Sequence, residues 1–309
     1  MFSFRLARHV LALVLSAGLL AAGAQAQDAP VRVSSKIDTE GSLLGNIIVQ
    51  MLEANGIRTR NQLQLGNTKV LRGAIVAGTI DIYPEYTGNG AFFFMDEKNP
   101  AWKNPAAAYA RVKALDLKAN RIVWLDPAPA NNTWAIAVRR DLATAQHLKS
   151  MSDLGRWIAA GGSFKLAASA EFIERPDALP AFEAAYGFKL KQDQLLTLAG
   201  GDTAVTIKAA AERTSGVNAA MAYGTDGPLA ALGLVTLTDN KNVQPVYAPT
   251  PVIRAEVLNR LPAIRRVLRP VFAALDGATL QTLNARIALE GRDAKQVAAD
   301  WLKSKGFVK

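Results

Sequence analysis

Short runs of β-type apolar residues alternate along this chain with stretches whose apolar residues recur every three or four positions. Residues 31–35 read as a first strand. Over 43–54, Leu44, Ile47, Ile48, Met51 and Leu52 share one helical face, and Gly56 follows as a C-cap. Residues 61–65 read as the next strand. Thr68 caps a helix through 77 that turns Val70, Leu71, Ala74 and Ile75 inward and ends at Gly78. Residues 80–84 read as a short strand stopped by Pro84, and 122–125 and 133–138 as two more. A second block predicts helices over 148–158, 179–186 and 202–212 and strands over 164–168, 195–198 and 218–223. Strands at 234–237 and 243–252 then lead the chain back, and helices at 254–261, 263–275, 278–289 and 294–303 close it.

Strands that alternate with amphipathic helices define an α/β architecture. The order of the blocks predicts two lobes joined by two crossings. Lobe one takes 28–137 plus 241–309, and lobe two takes 138–240. A cleft between two such lobes is concave and closes by hinge motion, so it suits a small ligand. No internal repeat or low-complexity tract interrupts the pattern.

The first 26 residues stand apart. Arg5 and Arg8 form a basic start, 10–22 are apolar, and Ala24-Gln25-Ala26 is a small-x-small cleavage motif. That is the layout of a secretory signal peptide cut after Ala26, and the apolar run is short against the ~20 residues of a membrane span. The expected location is the periplasm. No cysteine occurs anywhere, which removes disulfides, thiol catalysis, thiolate metal sites and a lipid-anchored N-terminal cysteine.

Formal charge is +10, two charges of which belong to Arg5 and Arg8. The remaining Lys and Arg are scattered. The densest group is Arg265, Arg266 and Arg269 in one terminal helix, so the chain lacks the basic stripe of a nucleic-acid binder. Of the two histidines, His9 lies in the leader and His147 in a polar linker. Triads and histidine-rich zinc sites are therefore excluded, and no catalytic residue, metal or cofactor is expected.

The aromatic residues carry more information through their placement. Tyr83 and Tyr86 lie in IDIYPEYTGNG, Trp134 in NNTWAIAV, Tyr223 in MAYGTDG and Tyr247 in VQPVYAP, each at a strand end beside polar turn residues. Open α/β sheets bind ligands at their strand ends. A box of ring faces suits a quaternary ammonium, whose spread charge offers no hydrogen-bond donor; each desolvated contact contributes ~0.5–2 kcal/mol. For the carboxylate of a zwitterion, Lys36, Arg175 and the amides of a helix N-terminus are candidates.

SSKIDTEGSLLGNIIVQMLEANG, LGNTKVLRGAIVAGTIDIYPEYTGNG, NNTWAIAV and YGTDG resemble the osmoprotectant-binding proteins of ABC importers, in their OsmF-type periplasmic branch. FIERPDALPAFEAAYGF and GGDTAVTIKAA fit the same branch, so the resemblance runs from residue 31 to the C-terminus. It implies a type II periplasmic-binding fold of two α/β lobes and an aromatic cage between them for glycine betaine, choline, carnitine or proline betaine. By this resemblance the cage is Tyr86, Trp134, Tyr223 and Tyr247. Lys36 is placed for carboxylate or polar contact, Asn132 precedes the aromatic by two residues, Asn89 stands where relatives often have Thr, and Arg175 matches a carboxylate-binding arginine loosely. Trp134 stands where many relatives carry Tyr, and Asn132 where some carry Asp. A neutral Asn132 lowers the attraction for a cation without its own carboxylate, so choline is expected to bind less well than a betaine. The implied partners are a small quaternary-ammonium solute and an importer permease in the inner membrane, with the chain acting as a monomer. Two other readings remain: the same fold holding another methylated zwitterion or polar solute, and a secreted enzyme on a two-lobe scaffold.

Overall fold

A computed structural model of the chain describes residues 29–198 and 203–309. The expected signal peptide, and Asp202 at the start of one expected helix, lie outside the described residues.

Ten strands form two five-stranded sheets. The first contains β1 (Val31–Lys36), β2 (Thr59–Gly66), β3 (Ile82–Tyr86), β4 (Ile122–Trp124) and β10 (Pro249–Arg254), in the order β2-β1-β3-β10-β4. The second contains β5 (Trp134–Arg139), β6 (Leu166–Ser169), β7 (Leu195–Leu198), β8 (Ala219–Tyr223) and β9 (Leu234–Thr236), in the order β7-β6-β8-β5-β9. The two sheets share one plan. β1 runs parallel to β2 and β3, and β6 runs parallel to β7 and β8. In each sheet the fourth strand, β10 or β5, is antiparallel to both neighbours. Each of these is the strand by which the chain enters that sheet from the other lobe, so its start lies beside the ends of the parallel strands.

The expected boundary at 137/138 falls inside β5, which is wholly a strand of the second sheet. The reason is pairing: Trp134 to Val138 align residue by residue with Tyr223 to Ala219. Pro84 was expected to stop its strand but sits inside β3. It faces Pro251 of β10, and two residues without N–H can oppose each other where an antiparallel ladder needs no hydrogen bond.

Two cores form in lobe one. The helix Thr39–Ala54 buries Leu43, Leu44, Ile47, Ile48, Met51 and Leu52 against Val31 and Val33 of β1 and against Leu268, Phe272, Trp301 and Leu302 from the C-terminal helices. On the other face of the sheet, Tyr83, Trp102, Val112, Trp124 and Val252 pack together. Lobe two is built the same way. Phe164, Phe172, Phe182 and Tyr186 lie on one face, and Ile207, Ala210, Ala220 and Leu229 on the other.

One long helix, Pro105–Asn120, was not expected from the sequence. It buries Ala108, Val112 and Asp116, a single stripe at four-residue spacing that alanines on every other face obscure. Among the described residues no helix is long and apolar enough to cross a membrane.

Candidate ligand-binding site

Both sheets present the carboxyl ends of their parallel strands to one cavity of about 1170 Å³. Lys36 closes β1, Tyr86 closes β3 and Tyr223 closes β8, while Trp134 opens β5 and Tyr247 lies two residues before β10. The plan of the sheets brings these positions together: Trp134 pairs with Tyr223, and Tyr86 pairs with Pro249. All eight residues singled out in the sequence, Lys36, Tyr86, Asn89, Asn132, Trp134, Arg175, Tyr223 and Tyr247, line this cavity. Tyr83 does not, because alternation along β3 turns it into the core, where its hydroxyl donates to Glu85 at 2.9 Å. Tyr186 packs in the core of lobe two, and His147 is exposed.

The rings come from both lobes. Trp134 and Tyr223 stack with centroids 6.4 Å apart and planes 12° apart. Tyr86 is 7% exposed, and burial is the main cause that pushes its hydroxyl well above the ordinary value. Burial also pushes the Tyr223 hydroxyl up to about 12. Tyr247 packs closely on the turn after β3. A Cβ at Gly88 would fall 2.8 Å from its ring, so only glycine lets the ring lie there.

Two of the rings already hold cations of the chain itself. The Lys36 ammonium lies 4.4 Å from the Tyr86 centroid, and the Arg175 guanidinium lies 4.5 Å from Trp134 and 4.8 Å from Phe92. Arg175 is also held by Glu171 at 2.9 Å and Asp177 at 2.6 Å. Lys36 and Asn89, expected to face the solute, both reach the fully buried Glu85, whose Oε1 accepts from Lys36 Nζ at 2.8 Å and Asn89 Nδ2 at 2.7 Å.

A second buried carboxylate, Glu40, lies in the cavity wall at 5% exposure. Its Oε1 accepts from the Tyr86 hydroxyl and from Asn132 Nδ2, each at 2.8 Å, and its Oε2 accepts from Asn284 Nδ2 at 2.8 Å. The Thr225 side chain also hydrogen-bonds to it. Burial raises its carboxyl above the ordinary value, and these hydrogen bonds act in the opposite direction. Gly41 allows this placement: a Cβ there would fall 2.8 Å from the Lys36 carbonyl, so the helix can start directly behind β1.

Over residues 29–304 the chain matches the family OpuAC, the substrate binding domain of an ABC-type glycine betaine transport system. The chain belongs to the OpuAC family. It is 68% identical to the glycine betaine-binding protein YehZ of Escherichia coli over 280 residues, 91% of this chain and 92% of that one. It is 36% identical to a glycine-betaine-binding protein of Pseudomonas aeruginosa over 295 residues, 93% and 91% of the two chains. A solved structure of apo YehZ from Escherichia coli superposes with a TM-score of 0.81 at 67% identity and covers 91% of this chain and 100% of that chain. The resemblance read from the motifs and the two-lobe type II fold are thereby shown. OpuAC domains are solute-binding parts of transporters, which sets aside the reading as a secreted enzyme. Among the described residues no cluster of His, Cys, Asp and Glu could hold a metal ion.

Within this OpuAC domain the sequence reading missed Glu40, Glu85, Thr225, Asn284 and Phe92. Glu85 stands inside IDIYPEYTGNG directly before Tyr86, and nothing in the local pattern marks it as buried. Glu40 follows the N-cap Asp38 by two residues and reads as an ordinary acid in a helix's first turn. Asn284 is 244 residues away from Glu40 along the chain, and no local pattern links the two.

Proposed function

We propose that this chain binds a quaternary-ammonium osmoprotectant of the glycine betaine type between its lobes and delivers it to the permease of an ABC importer. It works as a monomer in the periplasm after removal of residues 1–26. Lobe one ends just before β5 and resumes just before β10. One observation carries the reading: Tyr86 and Tyr247 from the first lobe and Trp134 and Tyr223 from the second line the same cavity. Ring faces replace the weak hydration of a methylated ammonium at small cost. That these faces attract cations is supported by Lys36 and Arg175, which already lie on two of them. Arg175, which lines the cavity, gives the solute's carboxylate a guanidinium to approach, whereas Lys36 is already matched by Glu85.

The cavity of about 1170 Å³ exceeds the usual range of small-ligand pockets. It leaves room for a longer methylated zwitterion, which keeps that second reading alive.

A thermal-shift and calorimetric screen against betaines, choline, carnitine, ergothioneine and polar amino acids tests the assignment. Glycine betaine at 100 times its dissociation constant is expected to stabilise the protein by ~2.7 kcal/mol. Choline, with no carboxylate for Arg175, is expected to bind less tightly. Tighter binding of choline would remove the zwitterion preference, and no response to any methylated ammonium would remove the reading itself.

A further inference from the structure

We propose that Glu40 is the counter-charge of the bound cation, and that solute binding at this site expels a proton from it. This rests on the cage reading above. The cavity wall contains a buried carboxylate whose hydrogen-bond partners, Tyr86, Asn132, Asn284 and Thr225, are all neutral donors. Among the described residues Glu40 forms no ion pair. The other acid buried at this end of β3, Glu85, is already matched by Lys36. Charge in the wall is therefore locally unbalanced at Glu40, one hydrogen bond away from a ring of the cage.

The groups around Glu40 are few. Its own helix contributes Asp38, the N-cap, and the helix N-terminus, which favours an anion. β1 contributes Lys36, already paired, and β3 contributes Tyr86 and Glu85. The segment before β5 supplies Asn132, the turn after β8 supplies Thr225 and Asp226, and the helix Gly277–Ala288 supplies Asn284. Burial opposes the ionised form, so protons compete for Glu40 in the free protein. A methylated ammonium against the Tyr86 ring favours the carboxylate, and the proton leaves to solvent. The sign follows: binding releases protons, and affinity falls as pH falls through the raised Glu40 value.

The test is isothermal titration of glycine betaine between pH 5 and 8, in pairs of buffers with different ionisation enthalpies, on the native chain and on Glu40→Gln. Native affinity is expected to fall by up to about tenfold per pH unit on the acid side, with proton release in the same window. Glu40→Gln is expected to bind about tenfold more weakly or worse at pH 8, without the pH slope or the proton release. Should the variant fail to fold, the native slope and proton count decide. Betaine binding with a flat profile and no proton release would overturn the inference and leave the transport reading intact, as would a slope that persists in Glu40→Gln. No betaine binding at any pH would instead overturn the transport reading, and this inference with it.

Discussion

Tyr86 has two functions in one side chain. Its ring lies under the Lys36 ammonium, and its hydroxyl donates to Glu40. The ring is thus fixed in orientation by a carboxylate and exposes a face to the cavity. Tyr86→Ala removes that face and is expected to weaken glycine betaine binding by ~1 kcal/mol or more, measured by calorimetry. An unchanged affinity would take Tyr86 out of the cage. Asn132 shows how a neighbour changes the meaning of a residue. Taken alone, its neutral amide lowers the attraction for a cation. In the structure it donates to Glu40, so an acidic group stands directly behind it.

At the level of elements, the first sheet is held in register near its middle by Asp81. Burial disfavours this carboxylate, but it accepts from the Arg32 backbone at 2.8 Å and from the Arg32 side chain at 3.0 and 2.6 Å. Arg254 of β10 adds a contact at 3.2 Å, and the net result holds Asp81 below the usual carboxylate range. One side chain thus joins β1, β10 and the entry to β3. Its contribution is complete above the ordinary aspartate value of about 3.9 and is lost as pH falls toward the depressed one. Asp81→Asn is expected to lower stability by about 2 kcal/mol at pH 7 in urea unfolding. The gap between variant and native protein should narrow toward pH 3, and a constant gap would assign the effect to packing. The strands were legible as elements mostly as short apolar runs bounded by turn residues; β2 is the exception, a polar stretch in which only Leu63 and Leu65 are apolar. The helix Pro105–Asn120 was not, because its inward stripe includes Asp116. That acid is fully buried and satisfied by Arg72 at 2.8 Å and by the Trp124 indole at 2.8 Å, partners that a sequence pattern does not display.

For the whole molecule, the C-terminal segment completes lobe one. The helix Ala294–Ser304 packs on Thr39–Ala54, and Trp301, 5% exposed, fills the joint beside Phe307. Trp301→Ala is expected to destabilise the fold by about 3–5 kcal/mol in denaturant titration, with no direct contact to the cavity. A loss under about 1 kcal/mol would mean that the joint collapses readily around the gap. The lobes also touch beside the cavity. Gln281 Nε2 donates to the Gly224 carbonyl at 2.8 Å, and Asn284 Nδ2 donates to the Thr225 carbonyl at 3.0 Å. The helix that carries Asn284 therefore joins the first lobe to the turn after β8, and Glu40 lies at the same junction.

The sequence by itself determined the two-block α/β plan, the ring-bearing strand ends and the eight cavity residues. Local patterning and motif resemblance are properties of neighbouring positions, and both survive without a third dimension. Only the tertiary structure decided how charges pair inside the cavity: that Lys36 and Asn89 meet Glu85, that Arg175 lies between Trp134 and Phe92, and that Glu40 faces neutral donors. The physical reason is that an acid's effect depends on what water is excluded and which partners arrive. At Glu40 those partners come from four separate stretches of the chain.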